Sequence, residues 1–185
     1  NACPELREPH PLSATGRLRI RFASCFFRDC TVGHYCRSWI ADLDPERFEA
    51  CVYLLGGPED AVTDAICQAA SGTVRVTGPL PQAAQAILDS APDVLVYPEL
   101  GMNGRTYALA ALRLAPVQCA GWGHPVTSGH ATVDYFLSCA AMEPEDADSH
   151  YIESLVRLPG LGTRYAKPGV GRTLSRADLG LPEGA

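Results

Sequence analysis

The chain has 185 residues, 46% of them hydrophobic and 19% charged, with a net charge of −6. That length suits one domain, with at most a trailing piece of another, and is enough to bury a real core. The acidic balance shows no basic stripe for nucleic acid, and no run of about 18 apolar residues offers a membrane span.

The first 16 residues, "NACPELREPHPLSATG", have no basic stretch followed by an apolar one, so they read as a leader or linker rather than a signal peptide. They also lack an initiator Met, which suggests a piece cut from a longer chain. "RLRIRFAS" (Arg17–Ser24) alternates like a strand, and "TVGHYCRSWIADL" (Thr31–Leu43) reads as a helix with Thr31 as a possible N-cap. "FEACVYLLGG" (Phe48–Gly57) is a second strand closed by Gly-Gly. "EDAVTDAICQAAS" (Glu59–Ser71) is a second helix, and "TVRVTG" (Thr73–Gly78) is a short third strand. "PQAAQAILDSAP" (Pro81–Pro92) starts with a proline that a first helical turn tolerates. "DVLVYPE" (Asp93–Glu99) is a continuous apolar strand, and "RTYALAALRLAP" (Arg105–Pro116) is a helix stopped by Pro116. "VQCAGWG" (Val117–Gly123) and "VDYFLSC" (Val133–Cys139) are fifth and sixth strands. "EPEDADSHYIE" (Glu143–Glu153) starts as a short acidic helix, and "SLVRLPG" ends the pattern. The tail from Thr163 to Ala185 is rich in Gly, Pro and charge and reads as a linker.

Strand and helix alternating through short links argue for an α/β domain over residues 17–162, a doubly wound, mostly parallel Rossmann-like sheet with helices on both faces. Ligands of such sheets bind beyond the carboxyl ends of the strands, so the loops after the strands carry the candidates. The fingerprints G-x-G-x-x-G, G-x-x-x-x-G-K-[ST] and G-x-S-x-G are all absent. After the fourth strand, "YPELGMNG" offers Glu99 at the strand end. Gly101 and Gly104 in the same loop would let backbone approach a ligand. After the fifth, "WGHPVTSG" offers His124 as acid, base or donor. Thr127 and Ser128 there would either hydrogen-bond a sugar or phosphate or cap a turn. Cys30 and His34 flank the start of the first helix, where anions are favoured. A thiol there is either activated or a packing residue. His10 and His150 read as surface residues, and the role of His130 stays open. The eight cysteines form no C-x-x-C and lie partly in apolar runs, which suits free thiols in a reducing cytosol. Cys25, Cys30, His34 and Cys36 match no standard zinc spacing, so no metal is expected.

"LRLAPVQCAGWGHPVTSGHATVDYFLSC", with "DVLVYPELGMNG" before it and "MEPEDADSHYIESLVRLPGLG" after it, resembles the protein O-GlcNAc transferase family of glycosyltransferases. The likeness is to its bacterial branch associated with tetratricopeptide repeats, and it runs from about Arg17 to Pro168. It implies the GT-B fold, in which two Rossmann-like halves face each other across a cleft. This chain resembles the N-terminal half, with "SRADLGLPEGA" entering the second. By that resemblance the donor is a UDP-sugar, UDP-GlcNAc or UDP-glucose, held mostly by the other half, and the acceptor is a protein or peptide. His34, His124 and Glu99 are then the catalytic candidates. Cys30, Gly101, Met102, Asn103, Pro125, Thr127, Ser128 and Gly129 are the substrate-facing ones. A gapless alignment puts Cys30 where other members carry a loop His, and His34 at the second His of that loop. His124 stands where the other branch has Tyr. The half alone is expected to be inactive, cytoplasmic and prone to self-association through its exposed cleft face, with a non-catalytic peptide-binding or assembly module as the alternative.

Overall fold

The computed structural model describes residues 16–165, 167, 171 and 173–182. The leader reading for residues 1–16 lies outside the described residues except for Gly16, as do Cys3 and His10. Seven strands form one sheet: β1 (Leu18–Ser24), β2 (Phe48–Leu54), β3 (Gly72–Arg75), β4 (Val94–Tyr97), β5 (Val117–Gly121), β6 (Tyr135–Cys139) and β7 (Ser154–Leu158). Their order is β3-β2-β1-β4-β5-β6-β7, and every neighbouring pair is parallel. The α/β, doubly wound parallel sheet expected from the sequence is therefore present, with a seventh strand where the sequence reading stopped at six.

Among the described residues four α-helices flank it: α1 (Thr31–Ala41), α2 (Ala61–Ala69), α3 (Leu80–Asp89) and α4 (Gly104–Ala110). Strand alternation sends Phe22, Val52 and Val96 to one side, where Tyr35, Cys36 and Ile40 of α1 and Ile66 of α2 pack on them. Ala23, Tyr53, Leu95 and Tyr97 point to the other side, beneath Ala84, Ile87 and Leu88 of α3 and Leu109 of α4. Each large aliphatic side chain fully buried this way is worth about 1.5–3 kcal/mol. α3 carries the chain from edge strand β3 back to the middle, so winding reverses between β1 and β4. There the loops leaving the two strands run in opposite directions, and sheets of this kind bind ligands in the crevice that this leaves beyond the carboxyl ends of the strands. At the opposite edge, the β1–β4 pair is locked by Arg19, whose guanidinium donates two 3.1 Å hydrogen bonds to the fully buried carboxylate of Asp93. The Arg19 amide donates a third at 2.8 Å.

Three stretches differ from the sequence pattern. The fourth helix ends at Ala110, not at Pro116, because side chains from later in the chain take its last carbonyl. Gln118 Nε2 and Thr132 Oγ1 both donate to Ala110 O, and Leu114 N donates to Gln118 Oε1. The acidic stretch after residue 143 forms only a 3₁₀ turn, Ala147–His150. Finally, Cys36, Cys119 and Cys139 are buried, while Cys51 and Cys67, which lie in apolar runs of the sequence, are half-buried.

Both connections beyond β5 cross on the α3–α4 side, contributing Val133 and Tyr151 to that core. On the other side of β4–β7, α1 reaches Val96 and Cys119 and covers the strands only in part. An apolar groove of about 650 Å³ remains there, lined by Trp39, Leu43, Val94, Leu137 and Leu158. No helix among the described residues is long and apolar enough to cross a membrane.

Candidate functional site

The crevice at the reversal is built from the loops after β1, β4 and β5. The first of these is set by the start of α2. Asp60 caps that helix, its Oδ1 accepting from the amides of Val62 and Thr63, while Thr63 Oγ1 accepts from Asp60 N. The same pair holds the β1–α1 loop. Asp60 Oδ2 accepts from Asp29 N at 2.7 Å, and Thr63 Oγ1 donates to Phe27 O at 2.6 Å. These charge-assisted bonds hold the Asp60 carboxyl below its ordinary range, the Asp29 amide contributing most.

Asp29 is thus placed over the first turn of α1, where its Oδ1 lies 2.9 Å from Nε2 of His34. Both side chains are exposed. A carboxylate accepting from Nε2–H leaves Nδ1 as the proton acceptor, the arrangement that suits an imidazole for general-base work. Gly33 makes the turn possible, because a Cβ there would overlap the carbonyl of Arg28. Cys30 precedes the helix as its N-cap residue without capping it by side chain. Its thiol instead contacts Phe26 O at 3.3 Å.

One helical position after His34, Tyr35 points the opposite way, into the protein. Its hydroxyl donates to Pro98 O, and its ring stacks on Trp122 at 4.2 Å. Gly123 N donates to the same Pro98 carbonyl at 3.0 Å. Helix α1 and the loops after β4 and β5 are therefore clamped on one carbonyl at the end of β4.

Glu99 follows that carbonyl and is fully buried. Its Oε2 accepts from Ser24 Oγ at 2.7 Å, and Oε1 has no partner among the described residues. Burial pushes the Glu99 carboxyl up to about 7, against the opposing pull of the Ser24 hydroxyl and backbone amides. The same burial, aided by the nearby Glu99 charge, pushes the Cys25 thiol up to about 11. Gly101 follows at φ +108, with the His124 ring where a side chain would stand. Glu99, Gly101 and His124 are thus gathered around one loop, and His124 is half-buried at its rim. Met102 is exposed beside them. Asn103 is half-buried and caps α4, its side-chain oxygen accepting from Arg105 N at 2.8 Å.

The far end of the β5–β6 loop is fastened differently. The sequence pattern leaves Thr127 and Ser128 between ligand and turn roles, and both hydroxyls here are engaged by Glu153. Thr127 Oγ1 donates to Glu153 Oε2 at 2.7 Å, Ser128 N donates to Oε1 at 2.8 Å, and the Ser128 hydroxyl donates to the same oxygen. Tyr107 Oη donates to Ser128 O at 3.2 Å, and His130 packs on the Tyr107 ring at 4.1 Å. Pro125 and Gly129 stay exposed on the outer rim. Sequence reasoning missed Ser24, Asp29, Tyr35 and Glu153. Asp29 alone had a local signal, a carboxylate just before a helix whose first turn carries His34. Among the described residues no three His, Cys, Asp or Glu side chains gather as a metal site.

Residues 5–161 match glycosyl transferase family 41. The chain belongs to that family. The match covers the whole sheet and every loop of the crevice. A solved O-GlcNAc transferase of Thermobaculum terrenum, a mutant form, superposes with a TM-score of 0.75 at 26% identity, over 84% of this chain and 30% of that one. A shorter stretch of 49 residues is 45% identical to a Solanum lycopersicum protein named "Probable UDP-N-acetylglucosamine--peptide N-acetylglucosaminyltransferase SPINDLY", spanning 26% of this chain and 5% of that one. The corresponding Arabidopsis thaliana protein is also 45% identical over 49 residues. The family 41 chain described here therefore spans under a third of the solved relative.

Proposed function

We propose that this chain is the acceptor-side half of a UDP-sugar-dependent protein glycosyltransferase, inactive without a second Rossmann-like half. The observation that carries the reading is the Asp29–His34 pair at the carboxyl edge of the sheet, beside the clamp that joins α1 to the loops of β4 and β5. In transfer, His34 Nδ1 takes the proton of the acceptor hydroxyl as its oxygen bonds to the anomeric carbon. The bond from that carbon to the diphosphate breaks, and UDP leaves. Asp29 orients the ring and stabilises the imidazolium that forms. Glu99 is too deeply buried to meet an acceptor, so it shapes the loop carrying Gly101 and supports His124, which faces the substrate from the rim. Met102, Pro125 and Gly129 contribute contact surface. UDP-GlcNAc is the favoured donor, the sugar named for the plant relatives. The reading takes no metal and no nucleic acid, and keeps the cytoplasm as its compartment.

The test is a chimera that joins residues 1–165 to the remainder of the Thermobaculum terrenum enzyme, assayed for transfer of labelled GlcNAc to peptide. His34→Ala and Asp29→Asn are expected to lower kcat by about 10²-fold or more while leaving the melting temperature unchanged. A fully active His34→Ala chimera would exclude His34 as the base. One observation favours a non-catalytic peptide-binding module instead. Cys30, at the position of a loop His in the resembling family, turns its thiol to Phe26 O and presents no base. A correctly folded chimera that binds peptide and transfers nothing would favour that module.

A further inference from the structure

The outer face of α1 forms one wall of a second cleft, of about 430 Å³, whose other wall is the segment that follows β7. His34, Arg37 and Ala41 line it from the helix, and Arg164, Tyr165 and Lys167 line it from the segment. That segment is stitched to α1. Trp39 Nε1 donates to Gly162 O at 2.6 Å, Thr163 Oγ1 donates to Tyr35 O at 2.7 Å, and Arg164 N donates to Ser38 Oγ at 3.0 Å. Arg164 also pairs with Asp42 at 2.5 Å. The two walls of the cleft are therefore tied to each other by three hydrogen bonds and an ion pair.

Its charge runs against that of the molecule. The whole chain carries −6, yet Arg37 and Lys167 face this cleft with no acidic partner among the described residues. Asp42 neutralises Arg164 and Asp29 faces His34, so the uncompensated positive charge belongs to Arg37 and Lys167. A single phosphate wants donors converging on one point. Here the α1 wall of the cleft runs from position 34 to 41, about 10 Å at a rise of 1.5 Å per residue, or about three residues of extended chain, with Arg37 midway along it and Lys167 on the opposite wall. The half-exposed Tyr165 ring adds apolar contact between the charges.

We infer that this cleft docks an extended acidic peptide. If the transferase reading holds, its occupant is the acidic flank of the acceptor, led past His34; the docking itself does not depend on transfer. The test is fluorescence anisotropy with the full chain and a labelled peptide carrying glutamates on both sides of a serine, beside a lysine counterpart. The glutamate peptide should bind and the lysine peptide should not. Arg37→Glu with Lys167→Glu should weaken binding about tenfold or more, with a smaller loss for the Gln pair. Raising salt past the point where the Debye length falls below about 5 Å should weaken it further. Equal binding by the reversed-charge variant, equal binding of the lysine peptide, or binding of pyrophosphate with none of the glutamate peptide would overturn the inference. In the chimera, transfer that ignores these substitutions on acidic acceptors would overturn the docking groove and leave the transferase standing. Peptide binding without transfer would do the reverse.

Discussion

Glu99 gives the sharpest perturbation. Its carboxyl is fully buried, receives one hydrogen bond from Ser24 and is pushed up to about 7 from an ordinary 4.5. A carboxyl moved that far separates its two protonation states by about 3 kcal/mol. Because the folded value is the higher one, the contribution is fully present below about pH 4.5. It is lost as pH rises toward 7, since the unfolded chain releases the proton more readily. Glu99→Gln keeps the shape and cannot ionise. The difference in unfolding free energy between the original chain and the variant should therefore move by about 2–3 kcal/mol between pH 5 and pH 8, in favour of the variant at high pH. Guanidinium denaturation followed by circular dichroism at several pH values measures this, and the double difference cancels the other carboxylates. A difference that stays flat across the range would mean that the carboxyl is not held protonated in the fold, and the reasoning from burial would fail.

Gly101→Ala should cost more than 1 kcal/mol and change the environment of the His124 ring, because φ +108 and that ring both exclude a side chain. A thermal melt with NMR of the His124 ring protons checks both effects, and an unchanged spectrum would show that the loop yields freely. Glu153→Gln should lower stability by about 2 kcal/mol, since an amide cannot accept from both hydroxyls and the Ser128 amide together. Faster hydrogen exchange at Ser128 in that variant is the accompanying signal, and unchanged exchange would show that Tyr107 alone holds the loop. Gly33→Ala should destabilise the chain strongly, because the carbonyl of Arg28 occupies the space of the added methyl. A melting temperature equal to the parent's would show that the turn relaxes at no cost.

Much of this fold is legible from apolar runs and punctuation alone. "DVLVY" reads as a central strand because β4 lies between β1 and β5 and is covered on both faces near its end. β7 is harder. "SLVRL" has Ser154 and Arg157 exposed on a sheet edge, so its pattern is half polar and resembles a loop. The early end of α4 is also invisible locally, since Gln118 and Thr132 decide it from beyond the helix. At the site, position along the chain points to the loops after β1, β4 and β5, and the fold brings these together at the carboxyl end of the sheet. Position does not reveal which polar groups are already spoken for. Thr127 and Ser128 belong to Glu153, 25 residues and more away in sequence, and Asn103 belongs to its own helix. Short-range spacing carries a local signal for Asp29 beside His34, but the pairing itself shows only in the fold. Such spacing cannot find a buried carboxylate that reaches back from the beginning of another strand.

The division of labour between this half and a second one is the central claim, and calorimetric titration of UDP-GlcNAc tests it most directly. The chain alone should show no binding heat up to about 1 mM ligand, while the chimera carrying the remainder of the Thermobaculum terrenum enzyme should bind. Micromolar binding by the chain alone would place the donor pocket in the loops of β1, β4 and β5 and contradict the acceptor-side reading.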